Sequence, residues 1–267
     1  MPSLRTREAV MRTIVVTGSA SGIGRATCDL LLERGARVVG VDVHDAEVVA
    51  DLATPAGRTA LVDRVRTLTD GTLDAVVANA GLATQTPPDV AVNYFGTVAT
   101  LDGLRPLMTG TAAPRAVATA SMASLMPSDT ELVDLCLAGD EPGALDRAAT
   151  LVETDLGHLI YASTKTALCR WVRRHAAGPG WAGAGIPLNA IAPGVVETPM
   201  VQPFLTTPEQ REALAAQVPM PLHGFMAADV PARLLAWLVS EENTHLCGQV
   251  VFVDGGSDVV LRGDATW

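Results

Sequence analysis

Tyr161 and Lys165 stand four residues apart in a segment that reads as helix, so both side chains reach one face. A tyrosine left alone titrates near about 10 and is a poor base at neutral pH. An ammonium beside it favours the phenolate and lowers that value. The pair is equipped to take a proton from an alcohol or return one to a carbonyl oxygen. Tyr94 is the only other tyrosine and has no such partner. A second constellation, Thr17-Gly18-Ser19-Ala20-Ser21-Gly22-Ile23-Gly24, follows the apolar run Ile14-Val15-Val16 and precedes a helix-like segment, Arg25 to Arg34. So many small residues let the backbone come close to a diphosphate. The helix start aims free N–H groups and a positive dipole end at that anion. Gly18, Gly22 and Gly24 serve the turn, the close approach and the helix packing. Together the two constellations describe an enzyme that binds a dinucleotide and moves a hydride.

Two further residues refine that chemistry. Asp42 ends the run Arg37 to Val41 and lies 18 residues beyond Gly24. A carboxylate there accepts both ribose hydroxyls of NAD and repels a 2′-phosphate. No Arg or Lys stands at 41, 43 or 44. The expected cofactor is therefore NAD rather than NADP. Ser121 follows the run Arg115 to Thr119, where its hydroxyl would bond a substrate oxygen and hold alkoxide-like charge. Ser124, three residues on, is the alternative.

These groups need a scaffold that brings strand ends together. Ile14–Thr17, Arg37–Val41, Ala75–Ala78, Arg115–Thr119, Leu188–Ile191 and Val250–Val253 are short β-branched runs separated by helix-length segments. Runs that are apolar throughout suit parallel strands covered on both faces. The expected fold is α/β: a single-domain Rossmann fold, a doubly wound parallel sheet with helices on both faces. In such sheets ligands sit beyond the carboxyl ends of the strands. Asp42, Asn79-Ala80-Gly81, Ser121, Pro193-Gly194 and Asp254-Gly255-Gly256 all fall there.

At 267 residues, 48% of them hydrophobic, the chain suits one large domain. Residues 1–12 read as a short N-terminal extension in which Met11 could be the natural start, and 13–267 as the domain. A formal charge of -10, from 19 basic and 29 acidic residues, argues against nucleic acid or an anionic membrane as partner. Cys28, Cys136, Cys169 and Cys247 are far apart, which indicates neither a metal site nor a disulfide framework. With no signal-peptide core and no apolar run of roughly 18 residues, a cytoplasmic protein is expected.

These motifs resemble the short-chain dehydrogenase/reductase family, from the glycine turn to Asp254-Gly255-Gly256. Within it they look most like the bacterial 3α-hydroxysteroid dehydrogenase/carbonyl reductase subgroup. That likeness rests on Val41-Asp42-Val43, the run Asp45 to Leu52, Val92-Asn93-Tyr94-Phe95-Gly96, Ile191-Ala192-Pro193-Gly194 and Glu197-Thr198-Pro199. The resemblance implies a diphosphate turn that includes Ser21 and Ile23. It implies that Asp51 and Leu52 line the adenine, and that Asn79, Ala80 and Gly81 pass its ribose. Pro193, Gly194, Val196 and Thr198 would lie next to the nicotinamide. It makes Ser121 the catalytic serine, adds a ribose contact to Lys165, and gives Asn93 a bent helix and a water on the proton path to Lys165. Thr164 stands where the family usually has serine, and a hydroxyl is kept.

Two segments stand apart. The 39 residues between Ser121 and Tyr161 carry an insertion at about 126–157, read as an excursion over the site or a subunit contact. Leu132–Leu137 and Ala144–Leu156 read as its short helices, and a homo-dimer or homo-tetramer is expected. A Pro- and Met-rich loop at about 198–226 reads as a lid over substrate or, equally, as ordinary packing against the body. Met122, Leu125 and Met126 after Ser121, with Met200, Val201, Phe204 and Leu205 after Thr198, are expected to form an apolar substrate wall. The expected function is an NAD-dependent interconversion of an apolar secondary alcohol and its ketone, of hydroxysteroid dehydrogenase/carbonyl reductase type. The alternatives are a dehydrogenase of an aromatic or terpenoid alcohol, and a non-catalytic dinucleotide-binding regulatory protein.

Overall fold

The structure, a computed structural model, describes residues 11–265. Seven strands pair in parallel: β1 (Thr13–Thr17), β2 (Arg37–Asp42), β3 (Val48–Val49), β4 (Ala75–Ala78), β5 (Arg115–Thr119), β6 (Leu188–Pro193) and β7 (Val250–Val253). Their spatial order is β3-β2-β1-β4-β5-β6-β7. The chain builds outward from β1 in one direction, then returns to place β4 on its other side. The strand order therefore reverses between β1 and β4, where Ile14 pairs with Ala75 and Val16 with Val77. That reversal opens a crevice at the carboxyl ends.

Alternation along the strands divides the core in two. Val15, Val76, Ala116 and Ala118 face one side, packed against α2 (Pro55–Leu68), α4 (Thr97–Met108) and α7 (His158–His175) through Leu61, Leu101, Leu104 and Leu168. Ile14, Val16, Val77 and Val117 face the other, against α1 (Gly22–Glu33) and α9 (Asp229–Leu238) through Leu31 and Leu235. Helices thus cover both faces of one parallel sheet, a single-domain Rossmann-like α/β fold.

Three local features depart from the sequence expectation. β3 is only two residues long and pairs Val48 with Val41 at the edge. The helix-like run around Asn93 is a short helix, α3 (Pro87–Val90), continued by a π-helical turn over Ala91–Gly96. The segment 126–157 holds α5 (Thr130–Ala138) and α6 (Glu141–Glu153), each starting two or three residues earlier than expected. Asp129 and Asp140 explain this, because each accepts a backbone N–H of the first turn, from Leu132 and Gly143. Leu132, Val133, Cys136, Ala148 and Leu151 join the main core with Ile160 and Leu168 of α7. The segment is a packed layer and not an excursion over the site.

Of the expected N-terminal extension, residues 1–10 lie outside the described residues. Arg12 holds the chain to the amino ends of the strands, donating to the carbonyls of Asp74, Ala113 and Val239.

Candidate active site

A cleft of about 360 Å³ opens at the strand reversal. Of the residues expected at a cofactor, Gly18, Ser21, Gly22, Ile23, Asp42, Asp51, Leu52, Asn79, Ala80, Gly81, Tyr161, Lys165, Pro193, Gly194, Val196 and Thr198 line it. Gly24 does not, because it sits behind the turn. A Cβ at Gly24 would lie 1.9 Å from the Gly18 carbonyl oxygen, so only glycine lets α1 close onto the end of β1. The first turn of α1 carries no acid, which leaves its N–H groups and dipole free for an anion. The turn therefore fits a diphosphate on its own geometry.

At one end of the cleft Asp42 holds the turn in place. Its Oδ2 accepts from the Ala20 N–H at 2.9 Å and its Oδ1 from the Val43 N–H at 2.7 Å. Each carboxylate oxygen keeps a lone pair for a ribose hydroxyl. Asp51 lies on the same wall, and Lys165, at the far end, is the only cation among the described lining residues. Asn79 joins three strand ends. Its Nδ2 donates to the Thr17 carbonyl at 3.2 Å, and its Oδ1 accepts from the Thr119 hydroxyl at 3.1 Å.

At the other end Ser121, Tyr161 and Lys165 converge. Ser121 leads into a 3-10 turn, Met122–Leu125, and its Oγ accepts from the Ala123 N–H at 3.1 Å. Ser124 does not line the cleft, and its carbonyl accepts from the Thr166 hydroxyl at 3.2 Å. Lys165 Nζ lies 5.6 Å from the centre of the Tyr161 ring and donates to the Thr119 carbonyl at 2.9 Å. Asn93 lies behind this group. Its Oδ1 accepts from the Leu82 N–H at 2.7 Å and its Nδ2 donates to the Leu82 carbonyl at 2.9 Å. A Cβ at Gly81 would sit 3.2 Å from Asn93 Oδ1 and 3.6 Å from Lys165 Nζ, so glycine keeps the space between them open.

Titration in this corner is governed by loss of water. Burial raises the Tyr161 phenol above its ordinary value, the Ser121 hydroxyl pulls it back, and the Asp89 carboxylate adds to the rise. The expected lowering of the phenol by Lys165 is not what dominates here. Burial in turn lowers the Lys165 ammonium to about 8, against the pull of Cys169 and Asp89. The unfolded chain then binds the lysine proton more strongly than the folded one between pH 8 and 10.5. The lysine's own contribution to the stability of the cofactor-free protein should rise with pH across that window. The buried thiols of Cys28, Cys136 and Cys169, raised by loss of water, act in the opposite direction as the unfolded thiols ionise, so the lysine is read as a difference. Lys165 is the only lysine in the sequence, so no other ε-ammonium overlaps the step. In thermal unfolding, the stability of the parent relative to Lys165→Met should increase between pH 8 and 10.5. Parallel curves would contradict this.

The expected substrate wall is only partly assembled. Met200 and Val201 line the cleft; Met122, Leu125, Met126, Phe204 and Leu205 are not among its lining residues. The 3-10 turn after Ser121 points Met122 into a small core with Val195, Val218, Met220 and Met226, and Met126 packs against it. Phe204 is 45% exposed on the loop beyond Val201. Other residues line the cleft that were not among the expected site residues. Val41, Val43, Ala50, Ala53, Leu82 and Val92 present ordinary apolar side chains, and Thr119 offers Lys165 a backbone carbonyl. Asp89 lies inside α3, beside the cleft. It is buried and accepts from the Thr84 and Gln85 N–H groups, shaping the loop after Gly81.

A glycine turn at a strand reversal, with a tyrosine, a lysine and a serine at the far end of the same cleft, defines a dinucleotide-binding oxidoreductase. Comparison with known proteins gives the family. Residues 12–133 match the family model described as short chain dehydrogenase, and residues 148–258 match one described as enoyl-(acyl carrier protein) reductase. The 3-alpha-hydroxysteroid dehydrogenase/carbonyl reductase of Comamonas testosteroni is 38% identical, over 94% of this chain and 98% of its own. The cis-4-hydroxycyclohexanecarboxylate dehydrogenase of Sinomonas cyclohexanicum is 31% identical, over 93% and 97%. The crystal structure of the 3-alpha-hydroxysteroid dehydrogenase from Pseudomonas sp. B-0831 complexed with NADH superposes with a TM-score of 0.87 at 38% identity, over 94% and 99%. The chain belongs to the short-chain dehydrogenase/reductase family.

Proposed function

We propose that this protein is an NAD-dependent oxidoreductase that interconverts a bulky apolar secondary alcohol and its ketone, as a hydroxysteroid dehydrogenase/carbonyl reductase does. The observation that carries the reading is the convergence of Ser121, Tyr161 and Lys165 in the cleft that begins at the glycine turn. The nicotinamide, when bound, supplies the hydride acceptor or donor. Tyr161 takes the hydroxyl proton of the alcohol during oxidation and returns it to the carbonyl oxygen during reduction. Ser121 donates to the same oxygen and stabilises the charge that grows on it. Lys165, held by the Thr119 carbonyl, supplies positive charge beside the phenol. The preference for NAD rests on Asp42 and Asp51 at the end of the cleft away from Lys165. The names of the Comamonas and Pseudomonas relatives support the steroid-like substrate and NADH.

Substrate size follows from exposed apolar surface beside the reacting end. Met200 is 39% exposed and Phe204 45% exposed, on a loop whose helix α8 (Pro208–Gln217) has no buried residue. A flat apolar ligand that covers them gains about 25 cal/mol per Å². Along a series from cyclohexanol through a decalol to a steroid alcohol, kcat/KM with NAD should rise. Better turnover of small polar alcohols such as glycerol would overturn the apolar-substrate reading and leave the reaction class standing.

A further inference from the structure

We infer that Glu141, through Arg58, is a positioning residue for the dinucleotide: the pair sets the relative placement of two lining segments at the adenine end of the cleft. The inference rests on the dinucleotide-binding reading above. Arg58 lies on α2 with its side chain only 10% exposed. Its Nε donates to the Leu52 carbonyl at 2.7 Å and its Nη2 to the Ala91 carbonyl at 2.9 Å. Leu52 lines the cleft, and Ala91 opens the π-helical turn that carries Val92, another lining residue. One planar guanidinium therefore bonds both lining segments. Glu141 holds it there with two bonds, Nη1 to Oε2 at 2.7 Å and Nη2 to Oε1 at 2.6 Å. A bidentate carboxylate fixes the plane of a guanidinium as well as its place.

Glu141 comes from the first turn of α6, in the layer between Ser121 and Tyr161. No residue of α5 or α6 lines the cleft, yet this carboxylate reaches its frame. Without it Arg58 is a buried cation with carbonyl partners alone, and its cheapest relief is to turn toward water. That movement releases Leu52 and Ala91 together. The layer also holds a second ion pair, Arg147 Nη2 to Asp129 Oδ2 at 2.7 Å, which bonds no cleft wall. It provides the control for general loosening of the layer.

The experiment is calorimetric titration of NAD and of ADP-ribose into the full-length protein and its Glu141→Gln, Arg58→Met and Arg147→Met variants. Thermal unfolding and kcat at saturating NAD are measured alongside. Glu141→Gln and Arg58→Met should each raise Kd for both ligands about tenfold, the loss of one charge-assisted contact, with kcat within about twofold of the parent. Arg147→Met should lower the unfolding temperature and leave Kd unchanged. Glu141→Gln keeps the side chain's shape and is scored alone if Arg58→Met does not fold. An unchanged Kd in Glu141→Gln, or an equal rise in Arg147→Met, overturns the inference. A parent protein that binds no dinucleotide overturns the proposed function and this inference with it.

Discussion

Tyr161→Phe is expected to lower kcat by about 10²–10⁴, the usual worth of a positioned acid–base group. NAD should bind as before. The phenol is the one group placed to exchange a proton with the substrate oxygen, beside the Ser121 hydroxyl and 5.6 Å, ring centre to Nζ, from Lys165. Removing a single oxygen leaves the ring, its packing and the Lys165–Thr119 bond in place. Burial disfavours the phenolate, so the substitution also removes no charge the fold depends on. Steady-state rates and NAD titrations on the same preparation separate chemistry from binding. Near-parental kcat in the variant would remove Tyr161 from the mechanism.

Asp42→Ala should raise the ratio of kcat/KM for NADP over that for NAD by about 10- to 100-fold, the range for a hydrogen bond to a charged group. The parent should prefer NAD. The carboxylate already holds the Ala20 and Val43 N–H groups, so it is fixed where a ribose would meet it. Among the described residues that line the cleft, the one positive side chain is Lys165, at the far end from Asp42. Arg25 is paired with Asp29 at 3.0 Å, and His44 sits against Asp45 at 3.2 Å. Asp42→Asn keeps a hydrogen-bonding side chain of the same shape and separates charge from turn geometry. A parent enzyme that prefers NADP would contradict the role given to Asp42.

Much of the scaffold was readable because it rests on short-range patterns. Apolar runs such as Ala75–Ala78 mark buried parallel strands, and each of the longer strands lies within two residues of its expected place. The glycine turn, Asp42, Ser121, and Tyr161 with Lys165 are polar or small groups at strand ends or on one helix face. The fold brings them to one cleft by topology alone. Three kinds of information were not in the pattern. An apolar side chain after a strand carries no direction, so Met122 was placed at the substrate although its 3-10 turn sends it into a methionine core. A backbone acceptor such as the Thr119 carbonyl leaves no mark on sequence. Arg58 and Glu141 are 83 residues apart, and tertiary packing of α6 against α3 and the Ala91–Gly96 turn brings them together.

The most direct test of the central claim follows a single hydrogen. A bicyclic secondary alcohol deuterated at its carbinol carbon is mixed with NAD and an equimolar amount of enzyme, and the products are analysed by mass spectrometry after one turnover. The account predicts ketone, with the deuterium carried on the reduced nicotinamide. It also predicts that Tyr161→Phe, binding NAD equally well, yields neither product in the same time. Bound NAD that stays oxidised in the parent enzyme, across alcohols of every size, would contradict the account and mark the cleft as a binding site without chemistry.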